Sequence, residues 1–321
     1  MDQATRQLAP PFSKENALRS STHAALPHNF RHNDQLLDPR KETCAYLKTD
    51  LQTPMLSKIH RLLWLAGLPR PARPLHRQRL LLRTIHLTES PDEHLVWHET
   101  CIFIKPLPEY LLDYEFWDQE LCADEALHKS ACGLLLSYAW LVCYKSDLHI
   151  AGETGLLPAN IDWNAWTAFM VDFTGHIDAY TLCQADSRYS YSELRLSRLN
   201  TLYRFGAAGF SLRNAVYGFM SASTRYTTFF ERNFGWILAV FVYISVVLSA
   251  MQVALATERF SDDLRFQQFS YGIALVSMAF VLAAVAIMLL VWSTLFWFHL
   301  LSTIQYCKQV ASQRRARSQA G

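Results

Sequence analysis

Two long uncharged apolar stretches toward the C-terminal end constrain this chain more than any other feature. Residues 235–256, GWILAVFVYISVVLSAMQVALA, carry no charge across 22 positions, about 33 Å of helix at 1.5 Å per residue. A bilayer's hydrocarbon core is about 30 Å thick, so the stretch is long enough to cross it. Residues 271–304 are also uncharged, and Trp292, Phe296, Trp297 and Phe298 cluster toward their far end. Trp236 and Tyr271 stand near the opposite ends, where interfacial anchors are expected. The connector 257–270 is short and sets the two spans antiparallel. The expectation is a transmembrane hairpin over 235–304, with spans 235–256 and 271–298, followed by a basic tail at 305–321.

Composition agrees with a membrane protein. Hydrophobic residues make up 51% and charged residues 18%, against about 25% charged in an ordinary soluble domain. A net charge of +2 supplies no global field for nucleic acid, and no nucleic-acid module is recognisable, so nucleic acid is not an expected partner. Seven cysteines without a CxxC pair make neither a zinc ribbon nor a disulfide framework.

Ahead of the spans, the N-terminal residues lack the apolar core of a signal peptide. Residues 1–41 are rich in Pro, Ser, Asn, His and Gln and are expected to form a disordered tail, with Phe12 or Phe30 the centre of any partner motif. A domain follows over 42–232. Leu47, Leu51, Met55, Ile59, Leu62, Leu63 and Leu65 recur at helical spacing up to the stop at Gly67-Leu68-Pro69. Residues 80–106 read as extended, with 95–97 and 101–104 as a small β-hairpin. The 14-residue apolar run 131–144 suits a buried core helix better than a span. Ser190-x-x-Glu193 has the pattern of a capping box opening a helix. The fold expected is therefore mainly α: a helix-rich cytosolic domain with a small β-hairpin, then a two-helix transmembrane hairpin.

Charge sets the topology. Lys308, Arg314, Arg315 and Arg317 follow the second span and Arg225 and Arg232 precede the first, against two arginines in the connector. Positive residues stay on the cytosolic side, which places both termini there, at an endomembrane or the plasma membrane, and makes Arg225, Arg232, Arg314, Arg315 and Arg317 candidate lipid-facing residues. Arg314-Arg315-Ala316-Arg317 also resembles an arginine-based endoplasmic-reticulum retrieval signal. Within the domain, residues 58–83 carry seven Lys or Arg and no acid, residues 89–129 eleven acids and two bases, and residues 188–232 seven Arg and two acids. The basic sections lie against anionic lipid or pair with the acidic ones inside the domain.

Candidate chemistry is sparse. His94 and His98, with Glu93 and Glu99 beside them, are the weak candidates for a metal site, because residues four apart share a face on a helix and on a strand. The bland alternative is two surface histidines. Asp147 and Glu153 have the chemistry for acid–base work, or equally for capping helix ends. No nucleophile elbow, HExxH or phosphate loop occurs, so no cofactor is expected. Inside the spans, Ser245, Ser249, Gln252, Ala279 and Ala283 have the small-residue spacing and polar group of a helix–helix contact.

The blocks LWLAGLPRPARPLH (63–76), HLVW (94–97), IFIKPLPEYLL (102–112), FW (116–117), ELRLSRLN (193–200), FFERNF (229–234), VVLSAMQVALAT (246–257) and SYG (270–272) together resemble a fungal family of predicted integral membrane proteins of unknown function. The resemblance implies a filamentous-fungal source and two C-terminal spans, and it brings no catalytic residue with it. The functional expectation is a membrane-anchored, non-catalytic protein whose cytosolic domain recruits or positions protein partners at the bilayer. The alternative is a membrane-bound enzyme or accessory factor acting on an apolar metabolite of fungal secondary metabolism.

Overall fold

A computed structural model describes residues 8–19, 26–32, 35–178, 181–205, 209, 218–220, 226–256 and 264–318. The chain divides into two compact units, Met1–Ser221 and Ala222–Gly321. The architecture is mainly α with a small sheet, as expected from the sequence.

In the first unit, β1 (Phe30–His32) and β2 (Gln35–Leu37) form an antiparallel pair. The helical periodicity expected over 47–65 is present but broken into α1 (Thr43–Leu51), α2 (Pro54–Lys58) and a 3₁₀ segment (His60–Leu65). The cause is Pro54, which has no N–H to continue a helix and so opens α2 instead. Of the periodic residues, Leu47, Leu51, Ile59 and Leu63 are buried, Met55 and Leu62 are half-buried and Leu65 is exposed, while Leu56, outside the pattern, is buried as well.

After α3 (Leu75–Leu80) come β3 (Thr84–Leu87), β4 (Val96–His98) and β5 (Cys101–Ile104). The expected hairpin is β4–β5, antiparallel, with His98 opposite Cys101. Glu99 turns the corner at φ 49°, a left-handed conformation uncommon for a residue with a side chain. Ile102 and Ile104 are fully buried while Cys101 and Phe103 are half-buried, the period-two pattern of a strand with one covered face. A two-residue strand, β6 (Leu194–Arg195), completes the sheet in the order β3-β5-β4-β6, with β3–β5 and β4–β6 parallel.

The helix expected from the apolar run is α5, counting Tyr114–Phe116 as α4. It spans Glu125–Leu141, and Asp124 caps it by accepting from the N–H groups of Ala126 and Leu127. Most of its residues are buried, including Leu134, Leu135, Tyr138 and Leu141. At its end the chain turns by 115° into α6 (Lys145–Glu153). Later come α7 (Trp163–His176) and α8 (Leu196–Arg204).

The expectation of a disordered tail is corrected on the described residues. Phe12 is 1% exposed and packs edge-on against Tyr114, Trp117 and Phe169, the last at 4.7 Å between centroids. Ser13 and Asn16 donate to Asp172 on α7, and Arg19 pairs with Glu109 at 2.9 Å. Phe30 packs against Tyr46. The polar residues of this segment hold it to the core, and the aromatic residues fill that core.

The second unit holds two touching helices, α9 (Tyr226–Leu255) and α10 (Leu264–Ser318). Within α10, Gln267–Ile287 is long and apolar enough to cross a membrane, with mean hydropathy 2.2. In α9 the apolar stretch among the described residues is Ala239–Val253. The side chains of Trp236, Arg232, Arg314, Arg315 and Arg317, and all of Arg225, lie outside the described residues. The expected packing residues face outward: Ser245, Ser249, Gln252, Ala279 and Ala283 are exposed. The less exposed of the described residues are Val240, Ile244, Val247, Leu248 and Met251 on α9, and Ser270, Gly272, Ile273, Ser277, Val281, Ala284 and Ser293 on α10. Most of them fall at spacings of three, four and seven that mark one stripe on each helix.

If the N-terminal segment is part of the core, Phe12→Ala removes a buried ring and costs about 3–5 kcal/mol. Thermal unfolding of the chain in mild detergent should show a lowered midpoint. An unchanged midpoint would return the segment to the status of a tail.

Candidate functional site

The capping box expected at Ser190-x-x-Glu193 does not form, because Glu193 has stronger partners elsewhere. It is buried, and its Oε1 accepts from the backbone N–H of Arg73 (2.9 Å) and from Gln78 Nε2 (3.0 Å). Oε2 accepts from Arg83 Nη1 at 3.0 Å, and Arg83 also donates to Gln78 Oε1. Helix α8 starts later, after Arg195. Gly67 permits the approach of the preceding loop: a Cβ there would lie 2.7 Å from the Glu193 carbonyl oxygen. Arg79 pairs with Glu153 at 2.7 Å, so part of the basic section 58–83 is matched inside the domain.

His94 is not a surface residue. It is 1% exposed, and its Nδ1 accepts from the Lys105 backbone N–H at 3.1 Å. Nε2 therefore carries the proton and donates to Ser137 Oγ, 2.8 Å away. Both nitrogens are occupied and neither is free for an ion. His98 lies half-buried near Glu99. Among the described residues no three His, Cys, Asp or Glu side chains gather as a metal site. Burial, then the Arg188 and Lys105 charges, hold the His94 pKa well below the ordinary imidazole value. The next residue, Leu95, is held at φ 61°, a sparsely populated conformation for leucine.

Arg188 is buried beside this histidine and donates through Nη2 to the His94 carbonyl at 2.7 Å. Asp92 accepts from the N–H groups of Met55 and Leu56. Burial raises its pKa to about 6, against the lowering effect of those hydrogen bonds and of Arg188.

Asp147 and Glu153 both serve α6. Asp147, fully buried, accepts from the N–H groups of Cys143, Tyr144 and His76 and from His76 Nδ1 at 2.9 Å. Glu153 is held by Arg79 and His149. The His86 ring lies tilted against Phe103, 5.7 Å between centroids.

One concavity beside the buried Lys105 was not anticipated from the sequence, and a second of similar volume lies along α6 at His149, Glu153 and Trp163. The first has a volume of about 530 Å³ and is lined by Asp50, Glu89, Lys105 and Glu109 with Pro27, Pro106, Pro108 and Pro158. Lys105 is 1% exposed, and its Nζ reaches Asp50 Oδ1 (2.7 Å) and the Glu89 carbonyl (2.9 Å). Tyr110 donates to Asp50 Oδ2 at 2.6 Å. Burial, followed by the Asp50 charge, raises the pKa values of Tyr46 and Tyr110. The available signal was that Lys105 is one of only two bases in the acidic section 89–129.

A family of unknown function (DUF6601) matches residues 43–281, well over half of the chain. The chain belongs to this family. No curated protein matches it, and no solved structure does. The DUF6601 match takes in α1 to α9, the whole Lys105–Asp50–Tyr110 group and most of the apolar segment of α10; Phe12 and Phe30 lie ahead of it.

Two of the shifted groups, His94 and Asp92, oppose each other in pH. His94 has a depressed folded pKa, so its contribution is full above 6.5 and is lost as pH falls, at up to about 1.4 kcal/mol per pH unit. Asp92 has a raised folded pKa, so its contribution is full below its unfolded value near 4 and is lost as pH rises through about 6. Between pH 6 and 4 acidification weakens the fold through His94 and strengthens it through Asp92. Asp92→Asn removes the offset, so its unfolding midpoint should fall more steeply with acidification than that of the natural chain. Parallel profiles would refute the assignment.

Proposed function

We propose that this chain is a membrane-anchored, non-catalytic protein whose larger unit recruits or positions partner proteins at a membrane. The observation that carries this is a contrast between the two units. Met1–Ser221 buries a full apolar core. In the other unit, Gln267–Ile287 leaves Val276, Leu282 and Ile287 at least 63% exposed, apolar surface that is satisfied in lipid and not in water. In this proposal α9 supplies a second span, the hairpin keeps both termini in the cytosol by its excess of flanking basic residues, and the host is an endomembrane or the plasma membrane. The side chains with catalytic chemistry, His94, Asp147 and Glu153, are engaged by internal partners. The open cleft around Lys105 is the docking place, its proline rim and the exposed Glu89 carboxylate suited to an extended basic segment of a partner.

A second reading, a membrane-bound enzyme or accessory factor for an apolar metabolite, has one observation in its favour: an ammonium and a phenol, Lys105 and Tyr46, both line a cleft large enough for a small molecule.

Anchoring predicts that the full chain stays in the membrane pellet through alkaline extraction. Val276→Arg with Leu282→Arg, about 2.5–3.5 kcal/mol each at a span's centre, should release it. For recruitment, photo-crosslinkers at Glu109 and Pro158 should capture the same protein in intact membranes, and one at exposed Val171 should not. If neither rim position captures anything and a deletion strain accumulates a discrete metabolite, the enzyme reading replaces this one.

A further inference from the structure

The two basic sections marked by charge in the sequence, 58–83 and 188–232, meet at a single pocket. Its volume is about 150 Å³, and Arg70 and Arg73 from the first section face it together with Arg195 and Arg198 from the second, beside Trp97 and Glu193. Its one carboxylate is already engaged, since Glu193 accepts from Arg83, Gln78 and the Arg73 backbone. Arg73 Nε stands 3.9 Å from Glu193. Arg198 donates to the Leu65 carbonyl, a neutral acceptor that leaves its charge uncompensated. The Arg195 guanidinium lies 5.2 Å from the centre of the Trp97 ring. Among the described residues, Arg70 and Arg195 pair with no carboxylate. The pocket therefore holds a surplus of guanidinium groups with donors directed at no internal acid.

The surroundings indicate what supplies the missing anion. Trp64 and Leu68 are each 58% exposed, and Leu68 itself lines the pocket. A tryptophan and a leucine projecting beside a group of arginines suit a boundary between water and lipid headgroups, where indole is favoured and basic side chains meet phosphate. Guanidinium groups bind phosphate oxygens through paired N–H donors, and a surplus of several favours a phosphomonoester over a zwitterionic headgroup.

We propose that this pocket binds the phosphate group of an anionic phospholipid, with Trp64 and Leu68 entering the headgroup layer beside it. The lipid source rests on the anchored reading above, whereas the anion chemistry of the pocket does not.

The test titrates the full chain in neutral detergent, by calorimetry, with dihexanoyl phosphatidic acid, dihexanoyl phosphatidylcholine and inorganic phosphate. Phosphatidic acid should bind about tenfold or more tighter than either of the others, and Arg70→Gln with Arg195→Gln should weaken it by about tenfold or more. Neither side chain has an internal carboxylate partner and only the Arg195–Trp97 contact is lost, so the unfolding midpoint should fall only slightly; Arg70→Glu alone, at the exposed lip, gives an independent second loss and leaves that contact in place. Equal binding of phosphatidylcholine, or undiminished binding by the variants, overturns the site. Inorganic phosphate binding as tightly as phosphatidic acid overturns the lipid assignment. The probes are soluble, so failure here leaves the alkaline-extraction result standing, and release of the chain by alkali leaves this titration unaffected.

Discussion

The buried carboxylate of Glu193 is the constraint on which much of the larger unit depends. A carboxylate withdrawn from water is tolerated only when donors replace its hydration. Here those donors come from Arg73, Gln78 and Arg83, more than a hundred residues earlier in the chain. Glu193 is followed directly by β6, so satisfying it also brings Leu194 and Arg195 alongside β4 at the sheet edge. Gly67 makes the same closure sterically feasible from the other side, and the Arg195 N–H donates to the Ala66 carbonyl to seal it. One desolvated charge thus joins the loop after the 3₁₀ segment, α3, the sheet and α8.

The other buried polar groups follow the same logic at lower charge. His94 is kept neutral with a fixed tautomer by one donor and one acceptor, and its own carbonyl receives Arg188. Asp147 gathers four contacts at the junction of α3 and α6. Lys105 closes on Asp50 and Glu89. In a low-dielectric interior each such group fixes the spacing of the elements it joins, because leaving any one unpartnered is costly. These side chains hold elements in register.

What the sequence disclosed and what it hid divide along the range of the interactions involved. The buried α5 and the β4–β5 hairpin were legible because length, apolarity and alternation are local signals. Pro54 was equally local, and a breaker at that position accounts for the division of the helical run. Phe12 was hidden because a compositional window averages it with Ser13 and Asn16, whose polarity serves Asp172 on α7 and not the solvent. The Ser-x-x-Glu pattern misled because long-range donors outcompete a local cap. The pairing of His94 with His98 assumed a regular backbone between them, and the left-handed turn at Leu95 breaks that regularity. In the apolar helices, small-residue spacing selected one stripe, whereas the less exposed stripe carries Ser270, Ser277 and Ala284 together with larger neighbours. The Lys105 cleft was illegible as a site because Asp50, Glu89 and Lys105 belong to separate elements that only the fold brings together.

Charge segregation along the chain takes its meaning from where the fold leaves residues unpaired. Acidic partners were available, since Glu153 takes Arg79 and Glu193 takes Arg83. Had neutralisation been the sole requirement, the remaining arginines of both basic sections would be expected to disperse or to find such partners too. Instead Arg70, Arg73, Arg195 and Arg198 converge on one pocket, a grouping that like-charge repulsion opposes and that solvent only partly screens. The Glu193 closure forces this convergence, because the strand and helix that follow it carry Arg195 and Arg198 to the loop that carries Arg70. The interaction that holds the sheet edge together is thus also the one that concentrates positive charge beside exposed Trp64 and Leu68.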